Sequence, residues 1–163
     1  MIDSMRPSIF IRKKENNIAG YEKSISQLYR IIIYAALLQG LCMTLLAKLI
    51  VQILYGTQYA PSADVLRIAV WYTTFSYMGT VRDIWILTEE KQKYLWIVNL
   101  GGALSNIVLN WFLIPIYGVC GAAIASVITQ FFANIIMNWI VTPLKYNNRL
   151  ILNALNPVKV FKA

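Results

Sequence analysis

LWIVNLGGALSNIVLNWFLIPIYG (95–118) runs directly into VCGAAIASVITQFFANIIMNWIV (119–141), and neither run contains an Asp, Glu, Lys or Arg. Each holds roughly 20 residues, enough at 1.5 Å per residue to cross a hydrocarbon core of about 30 Å. Pro115, Tyr117, Gly118 and Gly121 lie at their junction. Proline lacks a backbone donor and glycine accepts turn conformations, so the spacing predicts two antiparallel helices joined by a tight turn.

The pair is patterned as well as apolar. Gly118, Ala122, Ser126, Gln130, Asn134 and Asn138 recur every four residues on the second helix. On the first, Asn99, Asn106 and Asn110 fall close to one face, with Gly102 and Ala103 between them. Small residues let a neighbouring helix approach, and amides in hydrocarbon need partners. Gly118, Gly121, Ala122 and Ser126 are therefore the expected packing residues. For the amides two readings stay open, helix–helix bonding and contact with a substrate, the first being the simpler.

Composition agrees with a membrane chain. Charged residues make up 13% of the sequence, against about 25% in soluble domains, and the mean hydropathy is +0.56. The formal charge of +8 does not describe one basic face, because the cations alternate with the apolar runs. That distribution argues for membrane topology and against a nucleic-acid partner. The chain has no histidine, and its two cysteines, Cys42 and Cys120, have no metal-ligand spacing. A histidine triad or histidine metal cluster is excluded; no phosphate-cradling glycine loop occurs, and no cofactor is implied. Met1–Lys14 lacks the apolar core of a signal peptide. With no nucleophile–base pair in sight, an enzyme is not expected.

Residues 1–30 read as a cytoplasmic basic segment: a loop, or the frayed end of something longer, over 1–20, then an amphipathic helix through Tyr21, Ile25, Leu28 and Tyr29 that would lie along the headgroups. The predicted fold is all-α and integral to the membrane. Residues 31–141 form a four-helix transmembrane unit, with spans at about 31–54, 63–87, 94–115 and 119–141. Lys48 lies near the end of the first span and can snorkel outward. Thr73, Ser76, Thr80 and Asp83 give the second span a polar stripe. Residues 142–163 form a basic tail, in which Leu150, Ile151, Ala154, Leu155 and Val158 suggest a short amphipathic surface helix broken by Pro157.

Cations set the orientation. Residues 1–30 carry Arg6, Arg12, Lys13, Lys14, Lys23 and Arg30; the second connection carries Arg82, Lys91 and Lys93; the tail carries Lys145, Arg149, Lys159 and Lys162. The turns near 55–62 and 115–119 carry none. The positive-inside rule places both termini and the 88–93 loop in the cytoplasm.

The stretch GGALSNIVLNWFLIPIYGVCGAAIASVITQ resembles the C-terminal part of Wzx-type polysaccharide-biosynthesis flippases. These O-antigen flippases belong to the multidrug/oligosaccharidyl-lipid/polysaccharide exporter superfamily. The likeness rests on Asn106, Asn110, Leu113-Ile114-Pro115, Gly118 and Gly121-Ala122-Ala123, with the ILYGTQYAPSADVLRI loop and the Lys91/Lys93 loop in support. It covers about residues 20–141. The resemblance implies the last four helices of a twelve- or fourteen-helix transporter in a bacterial inner membrane, completed by N-terminal helices outside this chain. It implies transport of an undecaprenyl-pyrophosphate-linked oligosaccharide, the repeat unit of lipopolysaccharide or another surface polysaccharide. Groups able to replace water around that headgroup are Arg82, Thr80, Ser76, Asn106, Gln130 and Asn134. Arg82 suits a pyrophosphate because guanidinium binds phosphate through two donors; its simpler reading is a topology anchor or an ion pair. The alternatives are a cation-coupled multidrug or metabolite antiporter of the same superfamily, which wants an acid inside the membrane, and a stand-alone four-helix accessory subunit.

Overall fold

A computed structural model describes residues 2–155, with side chains from residue 5. The described residues are all-helical. Helix α1 (Ile2–Lys14) turns into α2 (Ile18–Tyr55), α3 (Ser62–Thr88) and α4 (Leu95–Phe131). A π-helical turn, Phe132–Ile136, leads to α5 (Met137–Ile140) and then α6 (Lys145–Leu155).

The sequence sets each boundary by a local device. Helix α1 closes with Asn16 in the left-handed region (φ 55°), where the Asn17 N–H reaches the Arg12 carbonyl at 3.0 Å and the Asn16 N–H reaches Lys13 at 3.1 Å. That double bond satisfies carbonyls a helix end would leave orphaned. Asn17 then caps α2, its side-chain oxygen accepting from the Gly20 N–H at 2.9 Å. Gly56 (φ 86°) ends α2, and Pro61 precedes the first residue of α3. Helix α3 closes as α1 does, with Glu90 at φ 55° and the Lys91 N–H on the Ile86 carbonyl at 2.8 Å.

Helix α4 is two antiparallel arms. Gly118 (φ 56°, ψ −133°) breaks it; Asn106 of the first arm bonds Thr129 of the second, and Gly102 lies against Ala133 in the π-turn beyond. A Cβ on Gly121 would overlap the Leu113 carbonyl oxygen, so the arms touch backbone to backbone just past the turn. The packing expectation for Gly121 is met. For Gly118 it needs correction: nothing lies within 4 Å of where its side chain would be, and its role is the positive φ of the turn.

Two further expectations change. Residues 2–14 are helical rather than a loop, and the amphipathic face of Tyr21, Ile25, Leu28 and Tyr29 is continuous with the first long apolar helix. That face is buried against protein and is not laid along a surface. Likewise Leu150, Ile151 and Ala154 of α6 are buried against the rest of the chain. Val158 and Pro157 lie outside the described residues.

The core sits at the end of the molecule that holds α1, the 88–94 connection and α6. Ile9, Ile25, Leu28, Tyr29, Val81, Trp85, Ile86, Val98, Leu144 and Leu150 meet there, all buried. Lys91 stacks over the Trp85 ring at 4.6 Å and donates to the Pro143 carbonyl at 3.0 Å. Lys13 pairs with Glu89 at 2.6 Å, and the Tyr146 hydroxyl donates to the Glu22 carboxylate. Among the described residues, the opposite end holds a small cluster of Ala47, Val51 and Ala63 with Leu66 beside it. Among the described residues, two stretches are long and apolar enough to cross a membrane, Ile18–Tyr55 and Gln92–Ile140.

Candidate functional site

A half-open cavity of about 410 Å³ lies between α3 and the two arms of α4. The first arm contributes Asn99, Gly102, Ala103 and Asn106, and the second Ser126, Thr129 and Gln130. The π-turn adds Ala133 and Asn134, and α3 adds Tyr72 and Arg82. Gly102 and Ala103 leave room where larger residues would fill the space. Among these lining residues none is Asp or Glu, and Arg82 is the one cation.

Arg82 is held from both sides. Its side chain is 6% exposed. Nη1 donates to the Ala133 carbonyl at 3.0 Å, while Nε and Nη2 donate to one oxygen of Asp83, at 3.1 and 2.8 Å. The ion-pair reading of Arg82 is therefore realised in the structure, and the same side chain also faces the cavity.

The π-turn explains why the four-residue ridge of the second arm does not run straight. The buried line on that arm is Gly121, Ala125 and Thr129. Ala122, Ser126 and Gln130 sit one position round and are half-buried, with Ser126 and Gln130 on the cavity. Packing by Ala122 and Ser126 is thus secondary to packing by Gly121 and Ala125. One extra residue in the π-turn rotates the helix beyond it by roughly 100°. Asn134 and Asn138 are thereby carried onto the buried line, at 4% and 0% exposure. Freed backbone in the turn finds side-chain partners: Ala133 O takes Arg82, Asn134 O takes Asn138 at 2.7 Å, and Ile135 O takes Asn148 at 3.0 Å.

Four of the six expected substrate-path residues line this cavity: Arg82, Asn106, Gln130 and Asn134. Asn134 donates to Gln130 Oε1 at 2.8 Å and to the Phe75 carbonyl at 2.9 Å. Asn106 donates to Thr129 Oγ1 at 3.2 Å and accepts from Asn110 at 2.9 Å. Thr80 and Ser76 do not join them. Thr80 is exposed and bonds back to the Ser76 carbonyl at 3.4 Å. Asn99, Tyr72 and Thr129 belong to the cavity in addition. Asn99 is visible in the asparagine spacing; Tyr72 and Thr129 carry no sequence signal, because an aromatic or a threonine fits any apolar helix face.

A second polar set lies beneath, in the core. Tyr29 donates to Asn147 Oδ1 at 2.9 Å, and Asn138 donates to Asn148 Oδ1 at 3.2 Å. These amides tie α2, α5 and α6 together. Among the described residues no cluster of His, Cys, Asp or Glu could hold a metal, and Cys42 and Cys120 are free thiols.

No protein-family model matches the chain, and no solved structure matches it. The chain is 30% identical over 135 residues to the uncharacterized membrane protein MJ1068 of Methanocaldococcus jannaschii. The match covers 77% of this chain and 25% of the relative. The chain thus spans about a quarter of the length of the relative it matches.

Proposed function

We propose that this chain forms the C-terminal four-helix part of a lipid-linked oligosaccharide flippase, with α2, α3 and the two arms of α4 crossing the membrane and both termini in the cytoplasm. The observation that carries the reading is the polar cavity walled by otherwise apolar helices, with its buried guanidinium and its lining amides. A sugar headgroup on a pyrophosphate needs hydrogen-bond partners and a cation to leave water; neutral amides, hydroxyls and one arginine meet that need. A cation-coupled antiporter wants a carboxylate in the same place, and among the described lining residues there is none.

Burial supports membrane residence. In the most apolar window of each candidate span, 17% is buried within the protein, whereas a core helix of a soluble domain is mostly buried. The relative carries its similar stretch within a much longer membrane protein. This favours a portion of a larger helical assembly over a stand-alone accessory subunit. The end with α1, α6 and most of the cations would face the cytoplasm.

Deleting the gene tests the reading. Loss of surface polysaccharide, with undecaprenyl-pyrophosphate-linked repeat units accumulating on the inner leaflet, is the expected result. Unchanged surface polysaccharide with no accumulated intermediate would contradict it. In the same cells Arg82→Ala should lower surface glycan at unchanged protein level; normal glycan would remove Arg82 from the path.

A further inference from the structure

Arg82 and Asp83 are neighbours in sequence, and neighbouring helix positions do not face one another. Their side chains nevertheless bend together, and the contact is lopsided. Arg82 is 6% exposed, while Asp83 is 47% exposed. The Nε–Nη2 edge of the guanidinium, which can grip two oxygens side by side, is spent on a single oxygen of Asp83, at 3.1 and 2.8 Å. Nη1 is anchored separately on the π-turn carbonyl of Ala133 at 3.0 Å, so the guanidinium keeps its place if Asp83 lets go.

We propose that Asp83 is an internal stand-in for an oxyanion: its carboxylate holds the Nε–Nη2 edge of Arg82 until a phosphate or pyrophosphate entering the cavity displaces it. The inference rests on the flippase reading for the identity of the headgroup, though not for the exchange itself. A buried cation without a partner is strongly unfavourable, so an apo cavity needs a resident counter-charge. Asp83 provides one that is easily released, because its half-exposed carboxylate recovers hydration when it leaves. The incoming oxyanion makes two parallel bonds where Asp83 makes a forked one. Asn106, Thr129, Gln130 and Asn134 on the surrounding walls offer further polar partners. Asp83 would thereby set a threshold, admitting a strongly bidentate oxyanion and rejecting weaker ligands.

The test uses the whole chain in lipid nanodiscs, with inorganic pyrophosphate and farnesyl pyrophosphate as probes. Removing the competitor should raise affinity, because the competent state is no longer shared with Asp83. Asp83→Asn is expected to tighten binding by about tenfold, and Arg82→Lys to weaken it by about tenfold or more. Tightening for farnesyl pyrophosphate, or for both probes, supports the proposal with a lipid headgroup as ligand. Tightening for inorganic pyrophosphate alone supports the exchange and overturns the flippase reading. Arg82-dependent binding that Asp83→Asn leaves unchanged or weakens overturns the proposal and leaves the flippase reading standing. If Asp83→Asn does not fold, the arginine Nε–H resonance that disappears in Arg82→Lys is followed in the wild type. A shift at saturating pyrophosphate supports displacement, and an unmoved resonance overturns it.

Discussion

The two ends of this molecule are made of similar residues and treat them in opposite ways. At the end with α1 and α6, Leu150, Ile25, Leu28 and Trp85 are buried; beside them Lys13 pairs with Glu89, and Lys91 stacks on the Trp85 ring. At the end with the Gly56 and Gly118 turns, Leu45, Ile53, Trp111 and Val119 are each more than 70% exposed. Hydrophobicity alone therefore does not say which residues touch protein. The hydrocarbon of a bilayer can satisfy an exposed leucine, but it cannot satisfy a backbone amide or a charge. The end with α1 and α6 is sealed by its own polar contacts and core; the turn end is not. The cavity lies between these regimes, where amides begin to enter an apolar wall.

The largest effect that would break this comparison falls at Gly121. It belongs to the turn end, yet it is buried against the Leu113 backbone. Gly121→Leu should destabilise the fold by about 3 kcal/mol or more, since the clash is with backbone and not with a side chain that can move. Membrane abundance and thermal melting in detergent measure it; wild-type abundance would show that the arms are free to separate.

A matched pair of leucines comes next. Leu150→Ala in α6 should cost about 3 kcal/mol, whereas Leu45→Ala on α2 should fall within about 0.5 kcal/mol of wild type. Equal losses would mean that the exposed face of α2 is covered in the isolated chain. Asn138→Ala sharpens the picture at the boundary. It removes the donor that serves both Asn134 O and Asn148 Oδ1 in a buried setting. A loss of about 2 kcal/mol is expected by denaturant titration. A neutral result would place water in the π-turn.

The smallest effect is a dependence on alkaline pH. The hydrogen bond to the Glu22 carboxylate, with burial adding to it, holds the Tyr146 phenol above its ordinary range. Its folded-state pKa is raised, so its contribution is fully present below about pH 10 and is lost as pH rises beyond that. Tyr146→Phe should flatten the fall of melting temperature above pH 10. An unchanged alkaline slope would mean that the contact to Glu22 contributes nothing.

Much of this architecture is legible in the chain itself. The long apolar helices, the turns at Gly56–Pro61 and Gly118, and the inward asparagines come out of periodicity and charge placement. Helix α1 is not legible, because Met5 and Ile9 are sparse apolar contacts in a basic, proline-containing segment. The docking of α6 is hidden because an amphipathic face reads alike whether it covers protein or lipid. The π-turn leaves no mark in the sequence. A four-residue ridge drawn through Ser126, Gln130, Asn134 and Asn138 assumes an unbroken helix, whereas beyond the turn Asn138 is fully buried in the core and Asn134 is buried at the cavity wall beside Gln130. Ser76 and Thr80 lie near Arg82 in sequence, but α3 reaches the cavity through Tyr72 and Arg82 and not through them.

Water access measured residue by residue tests the central claim, that the cavity is a polar path through an apolar wall. In a chain with Cys42 and Cys120 replaced by Ser, Asn106→Cys and Leu45→Cys would each be exposed to a membrane-impermeant thiol reagent in nanodiscs, with and without farnesyl pyrophosphate. The account predicts that Asn106→Cys is labelled and is protected by farnesyl pyrophosphate, while Leu45→Cys stays unlabelled in lipid. Labelling of neither position, or labelling of Asn106→Cys that the lipid pyrophosphate does not change, would contradict it.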